Sequence, residues 1–275
     1  MPTDARRLIR KMRGGAQAHL IEASDGHAYV VKFLNNPQHR RILVNEWIAS
    51  TFLNYLGIAT PASAIVRLSE DFLAANPEVH LQLGTRREIP QAGWHFGSRY
   101  PGNPASIMVY DFLPDTILEQ IENLPDFLGA LAFDKWMGNA DARQSIFFRA
   151  RLKEWIPESH ALKMGYVAQM IDNGFVFGGP HWQFNDSAIQ GLYFRPHVYK
   201  NVLGLADFEP WLSRIVNFPD EIVDQAVKSI PPAWLAGDEE AFEVLLARLL
   251  KRRARAPDLV EDTRGGLGNQ FPKWR

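Results

Sequence analysis

Apolar and polar positions alternate over 16–24 and again over 27–33, the period of a half-buried strand, and Asp25-Gly26 between them signals a tight turn. Over 40–56 the spacing changes. Leu43, Trp47, Ile48, Phe52, Tyr55 and Leu56 recur at helical intervals, and Gly57 marks the stop. Thr60-Pro61 opens a further strand over 62–68. Regularity is then lost over 69–104, a stretch rich in Gly, Pro, Asn and Arg that reads as a long insertion ending in the turn-like HFGSRYPGNP. The pattern over 106–110 predicts a buried strand, left abruptly at Asp111-Phe112-Leu113-Pro114.

Beyond that exit the chain turns helical. Phe127, Leu128, Leu131, Ala132 and Trp136 predict a helix that begins at Leu124-Pro125-Asp126 and stops at Met137-Gly138. A polar loop over 139–144 runs into an apolar strand over 145–148, and a second strand over 166–171 delivers Asp172 just before Asn173-Gly174. Asp141 and Asp172 thus stand at loop–strand junctions of one hairpin, where two carboxylates come to lie side by side. The polar excursion between the strands carries Pro157 and His160 and no catalytic signal. After Gly174, an aromatic, glycine-punctuated loop over 175–184 is of a kind that covers a site or receives a polypeptide, or is simply wedged in place by its aromatics. Helices are expected over 211–216, 219–228 and 238–253. The last starts acidic and ends in Lys251-Arg252-Arg253, which suits the helix dipole better than it suits a nucleic-acid patch. Glycines in 261–275 predict a flexible tail.

Composition narrows the classes without choosing one. At 275 residues, with 46 % hydrophobic and 22 % charged residues, there is ample material for the core of a globular protein. A net charge of −1 gives no electrostatic reason for direct nucleic-acid binding. No apolar run approaches the roughly 20 residues that span a bilayer. The basic opening MPTDARRLIRKMRGG lacks a signal-peptide apolar core, so a cytoplasmic protein is expected. With no cysteine, disulfides, thiol catalysis and Cys-type zinc sites are excluded.

Candidate chemistry gathers on a few polar residues in apolar settings. Lys32 lies in the run Tyr29-Val30-Val31-Lys32-Phe33, where period two puts it on the face of Ala28 and Val30. An ammonium there needs an anion. Glu46, one helical turn from Leu43, stands at the edge of the apolar stripe, either as that anion or as a solvated partner of Arg40 or Arg41. Gly14, Gly15, Ala16 and Gln17 precede the first strand, as a plain turn or as a place where backbone amides approach a phosphate. Asp134 and Lys135 read most simply as exposed partners, with Asp134 close enough in sequence to support the loop; His95, Ser98 and Arg99 read as ordinary loop residues sooner than as contacts to a nucleotide or substrate. A strand lysine fixed by a helix glutamate, followed by two loop aspartates, is the order of parts that phosphoryl transfer requires.

Taken together, Gly14-Gly15-Ala16-Gln17, VVKF around Lys32, Asn45-Glu46, VYDFLP at 109–114, GNAD at 138–141 and IDNG at 171–174 resemble the HipA-like kinases, a bacterial branch of the protein-kinase-like superfamily related to phosphatidylinositol kinases. The resemblance covers 14–259 and implies an α+β, two-lobed protein-kinase-like fold. A small β-rich lobe would span 1–113, with the insertion at 69–104, and a mostly helical lobe 114–260. The chain is shorter than full HipA toxins, and their extra amino-terminal subdomain is expected to be missing. Asp141 would be the catalytic aspartate and Asp172 the metal-binding one. Lys32, fixed by Glu46, would contact the phosphates, Gly14 to Gln17 would cover them, and Asp111, Phe112 and Leu113 would form the adenine hinge. The implied cofactors are ATP and Mg2+, and the implied acceptor is a hydroxyl, first of all that of a protein Ser or Thr. One departure stands out: no asparagine follows Asp141, and Gln144 is the nearest carbonyl that magnesium would accept. That swap motivates a second reading, a pseudokinase that binds nucleotide or protein without turnover. A third keeps the enzyme and takes a small-molecule acceptor, although the neutral aromatic loop after Asp172 lacks the acidic cluster that suits a cationic aminoglycoside.

Overall fold

The fold is a computed structural model that describes residues 2–156, 162–266 and 270–275. It opens on β1 (Thr3–Lys11), β2 (His19–Ala23) and β3 (Ala28–Lys32), continues through α1 (Arg41–Leu56) to β4 (Ser63–Leu68), then α2 (Glu70–Ala75), β5 (Leu81–Leu83), β6 (Arg86–Glu88) and β7 (Gly93–Arg99). Strands β1-β2-β3-β7-β4 close into a barrel around Ile21, Tyr29, Val31, Phe33, Val66 and Leu68. The expected hairpin is present. Asp25 Oδ1 accepts from His27 N at 3.0 Å, Tyr29 Oη donates to Asp25 at 2.8 Å, and Gly26 takes φ +82°.

Two barrel strands differ from the sequence reading. The basic N-terminal stretch is strand β1, pairing antiparallel with β2 and parallel with β4; irregularities at Ala5/Arg7 and Leu8/Arg10 break its alternation, and its arginines face solvent. The supposed insertion over 69–104 contains β7, which bonds both β3 and β4 and so completes the barrel. Gly97 is required there, because a Cβ would lie 2.6 Å from Val66 Cγ2.

The helix α1 is not the half-solvated amphipath its spacing suggests. Ile42 to Glu46, Ile48, Ala49, Ser50, Phe52, Leu53 and Leu56 are all buried, and the helix ends where Gly57 adopts φ +75°. It runs between the barrel and the second part of the chain as the shared core element. That second part begins with β8 (Val109–Tyr110) and α3 (Asp115–Leu118), then α4 (Asp126–Met137), β9 (Gln144–Arg151) and β10 (Met164–Ile171), which form the sheet β10-β9-β8. The buried strand expected over 106–110 is reduced to two half-buried residues. Pro157 and His160 fall outside the described residues. Helices α5 (Trp211–Val216), α6 (Asp220–Lys228), α7 (Pro232–Leu235), α8 (Glu239–Arg252) and α9 (Ala256–Glu261) complete this part; α5, α8 and α9 pack on α4, whose Phe127, Leu131, Phe133 and Trp136 are wholly buried, while α6 and α7 pack on α1.

The basic end of α8 does more than answer a dipole. Arg252 is buried and donates to the carbonyls of Lys135 and Trp136 and to Asp186. Where a flexible tail is expected over 261–275, Phe271 and Trp274 are buried, stacked on Tyr199 and Phe208 respectively. Among the described residues no helix is long and apolar enough to cross a membrane.

Candidate active site

Three of the sequence candidates, Lys32, Glu46 and Asp172, meet at the junction of barrel, α1 and the β9–β10 hairpin. Lys32 closes β3 and is 8 % exposed. Its ammonium donates to Glu46 Oε1 on α1 and, at 2.7 Å, to Asp172 Oδ1. Burial by itself would lower the lysine pKa, but the two carboxylates outweigh it and hold the pKa above its ordinary value. Glu46 is 3 % exposed, not a flank residue, and its second oxygen accepts from the Asn173 backbone N–H at 3.1 Å.

Asp172 follows β10 with φ +58°, a left-handed conformation that aspartate tolerates better than most residues. Its side chain keeps 37 % exposure. The Lys32 ammonium holds the Asp172 pKa below the ordinary carboxylate range, helped by Arg143 and by the Gln144 side chain that faces it.

The register of the hairpin decides where the second acid emerges. Gln144 pairs with Ile171, so Asp141 and Asp172 leave the same end of the β9–β10 pair. The Asp141 loop is fastened by backbone bonds on both sides: Ala140 N donates to Phe175 O at 2.9 Å, and Gly191 N donates to Asp141 O at 2.9 Å. Asn139, fully buried, accepts from Asp141 N at 3.1 Å and donates to Asp134 Oδ1 at 3.0 Å. Asp141 itself is exposed; Oδ1 caps Ala142 N at 2.8 Å, and the other oxygen has no protein partner among the described residues.

Three supporting elements, the Asp134–Arg143 pair, Lys135 and Asn45, have roles that the sequence does not show. Asp134, read as exposed, has a fully inaccessible side chain and forms a buried ion pair with Arg143. Arg143 also donates to Asn173 Oδ1 at 2.7 Å and to Ile171 O at 3.1 Å, tying the Asp141 loop to the Asp172 loop. Burial pushes the Asp134 pKa up against the pull of Arg143. Lys135, likewise read as exposed, is 6 % exposed; burial pushes its pKa down to about 8, and it donates to the carbonyls of Ser187 and Ala188. Asn45 is the third. Its side-chain amide donates to the carbonyls of Gly174, Val176 and Gly179, and its Oδ1 accepts from Trp182 Nε1 at 2.9 Å. This pins the aromatic loop that follows Asp172, so Phe177 and Trp182 are core residues.

The remaining candidates lie apart from this cluster. Among the described residues no hydrogen bond joins Gly14, Gly15, Ala16 or Gln17 to Lys32, Glu46 or Asp172, yet His19 pairs with Val31, which sets the turn over the Lys32 end of β3. Among the described residues the amides of Arg13, Gly14, Gly15 and Ala16 have no protein acceptor. Asp111 and Phe112 are exposed, Arg195 lies over the Phe112 ring at 4.3 Å, and the Leu113 carbonyl accepts from Arg195 at 3.0 Å. His95 is a core residue: wholly buried, bonded to Leu34 N and the Gln91 carbonyl, with its pKa pushed down to about 4 by burial.

The chain has counterparts among known proteins. A family model described as HipA-like kinase matches residues 6–151. No curated protein matches the chain in sequence. Among solved structures, a crystal structure of the Golgi casein kinase with Mn/ADP bound superposes with a TM-score of 0.54 at 10 % identity, over 97 % of this chain and 74 % of that one. A second structure of the Golgi casein kinase gives a TM-score of 0.55 at 12 % identity, over 97 % and 73 %. At such identity the likeness speaks for the fold alone: a kinase-like arrangement of mixed strands and helices.

Proposed function

The chain belongs to the HipA-like kinase family, and from that premise we propose that it is an ATP- and Mg2+-dependent phosphotransferase whose acceptor is a protein Ser or Thr hydroxyl. The observation that carries the reading is the buried Lys32 ammonium held between Glu46 and Asp172. Two of its three donors are engaged, which leaves one for a phosphate oxygen. In this reading 1–113 and 114–260 act as two lobes about Asp111, Phe112 and Leu113, which offer backbone groups to an adenine edge. The free amides of Arg13 to Ala16 form an anion-binding turn over the phosphates.

The residues fit a hard divalent cation delivered together with nucleotide. Among the described residues no cluster of three or more acids or histidines forms a metal cage. Asp172 with the Gln144 carbonyl is the kind of sparse donor set that magnesium completes with phosphate oxygens and water. The Golgi casein kinase, solved with Mn/ADP, supports a nucleotide–metal pair in this fold. When bound, the cation neutralises charge developing on the phosphates. Asp141, with one carboxylate oxygen open, orients the acceptor hydroxyl and accepts its proton as the oxygen bonds to the γ-phosphorus and the bond to the β–γ bridging oxygen breaks, releasing ADP.

Transfer of label from γ-labelled ATP, with Mg2+ or Mn2+, to the protein itself and to lysate proteins tests the assignment. Asp141→Ala and Asp172→Ala are each expected to lower the rate about a hundredfold or more. Unchanged rates in both would overturn the roles. One observation favours a second reading, a nucleotide-binding module without turnover: Gln144 replaces the usual asparagine, and its side chain is turned to Asp172. Nucleotide-dependent thermal stabilisation with no label transfer is the outcome that selects it.

A further inference from the structure

The connection from β4 to β7 has no place in the chemistry above, yet its contacts converge on one element. Phe72, Val79 and Leu81 plug the end of the barrel. Beside that plug, the Gln17 side chain grips the backbone of Gln82 as a neighbouring strand would: Gln17 Nε2 donates to Gln82 O at 2.7 Å, and Gln82 N donates to Gln17 Oε1 at 2.6 Å. Gln17 holds φ +48° to do so. At the other end of the glycine turn, the Lys11 ammonium lies 2.7 Å from His80 Nε2 and 3.4 Å from the His80 carbonyl. On the far side of the hairpin, Asn35, three residues past Lys32, donates to Glu88 Oε1 at 2.8 Å. The hairpin is itself tightened by Gln82 Nε2, which donates to Gly84 O at 2.6 Å.

We infer that the β5–β6 hairpin is a brace that holds the glycine turn closed over the nucleotide phosphates, with Gln17, His80 and Gln82 as positioning residues. Gln17 therefore serves the turn through its side chain and not as a phosphate ligand. The turn must keep the amides of Arg13 to Ala16 free and convergent, but two glycines make it intrinsically loose. Hydrogen bonds at both of its ends, anchored on buried Leu81, limit the conformations lost when an anion binds. The effect falls on nucleotide affinity and leaves the transfer step alone, because no hairpin residue touches Lys32, Asp141 or Asp172.

The inference rests on the phosphotransferase reading for its consequence, though not for the brace itself, and two measurements separate them. In the nucleotide-free full chain, hydrogen exchange of the two amides that close the turn, Met12 (to Ala18 O, 2.8 Å) and Gln17 (to Gly14 O, 3.1 Å), is expected to quicken in Gln17→Leu and in Gln82→Pro. The proline removes the backbone donor to Gln17 and the Gln82 side-chain bonds to Gly84 O and Arg86 O, and it spares the β5–β6 ladder, since both backbone groups of Gln82 point away from β6. Unchanged exchange in both variants, with unaltered exchange elsewhere, would overturn the brace. In steady-state kinetics, His80→Ala combined with Gln82→Pro is expected to raise the KM for ATP about tenfold with kcat retained, the worth of a few neutral hydrogen bonds. An equal loss in kcat, or an unmoved KM, would refute the positioning role. Should the unaltered protein neither bind nor turn over ATP, the functional reading falls, while the exchange comparison still decides whether the hairpin holds the turn.

Discussion

Arg143→Met severs the connection between the two acid loops without leaving a hole. Methionine keeps much of the arginine volume and removes the pair with Asp134, the bond to Ile171 O and the bond to Asn173 Oδ1. What remains is a carboxylate with no solvent access and only the Asn139 amide, at 3.0 Å, to answer it. An exposed pair such as Arg7–Glu22 is worth about 0–1 kcal/mol. Removing one partner of a buried pair costs about 3–5 kcal/mol instead, most of it the uncompensated charge. Burial already pushes the Asp134 pKa upward, and without the guanidinium the group will take up a proton on folding. The folded pKa then stands above the unfolded one, so the deficit grows as pH rises from the unfolded value through the folded one, and it shrinks again in acid. Urea unfolding followed by far-ultraviolet circular dichroism is expected to show a loss of about 3–4 kcal/mol at pH 7. Combining Arg143→Met with Asp134→Asn removes both charges and is expected to recover about 2 kcal/mol, the coupling between contacting residues. A loss below about 1 kcal/mol for Arg143→Met, or strict additivity with Asp134→Asn, would refute the view that this pair holds the loops.

Two further outcomes follow from packing and from buried histidines. Gly129→Ala, inside α4, is expected to destabilise by about 1–3 kcal/mol despite the better helix propensity of alanine, because the new Cβ would lie 2.5 Å from Trp211 Cε2; a raised urea midpoint would sink the argument. His19 and His95 have pKa values pushed down to about 4 by burial. Both are neutral in the folded protein and protonate in the unfolded chain below about pH 6.5. Stability is therefore full above that pH and is lost as pH falls from about 6.5 to 4, by up to about 3 kcal/mol per histidine. A His95→Gln variant with the same acid slope as the unaltered protein would contradict this.

Much of the architecture was readable because its signals are local. The Asp25-Gly26 turn, the helix stop at Gly57, the α4 stop at Gly138 and the loops that carry Asp141 and Asp172 each depend on a few adjacent residues. What escaped was whatever depends on a distant partner. Strand β1 hid behind its exposed arginines and its bulges, and β7 behind Gly97, which allows close packing on Val66 and Tyr29. Asp134 and Lys135 looked solvated on their helix and Arg143 gave no signal, since a charged side chain carries no mark of its burial in the sequence. Asn45 looked like one polar position in a helix, although it organises the whole loop after Asp172.

By itself the sequence determined which groups were available and in what order: a lysine in an apolar strand, a glutamate one helix later, two aspartates beside glycines, and the turns that separate them. Periodicity and turn chemistry act over a few residues, so these were settled before any folding. Only the tertiary structure decided that Lys32 meets Glu46 and Asp172, that Arg143 is a buried tie and not a surface charge, and that the β5–β6 hairpin leans on the glycine turn. Those outcomes come from chain closure and desolvation, across 140 residues for Lys32 and Asp172 and 65 for Gln17 and Gln82, and no local pattern records them.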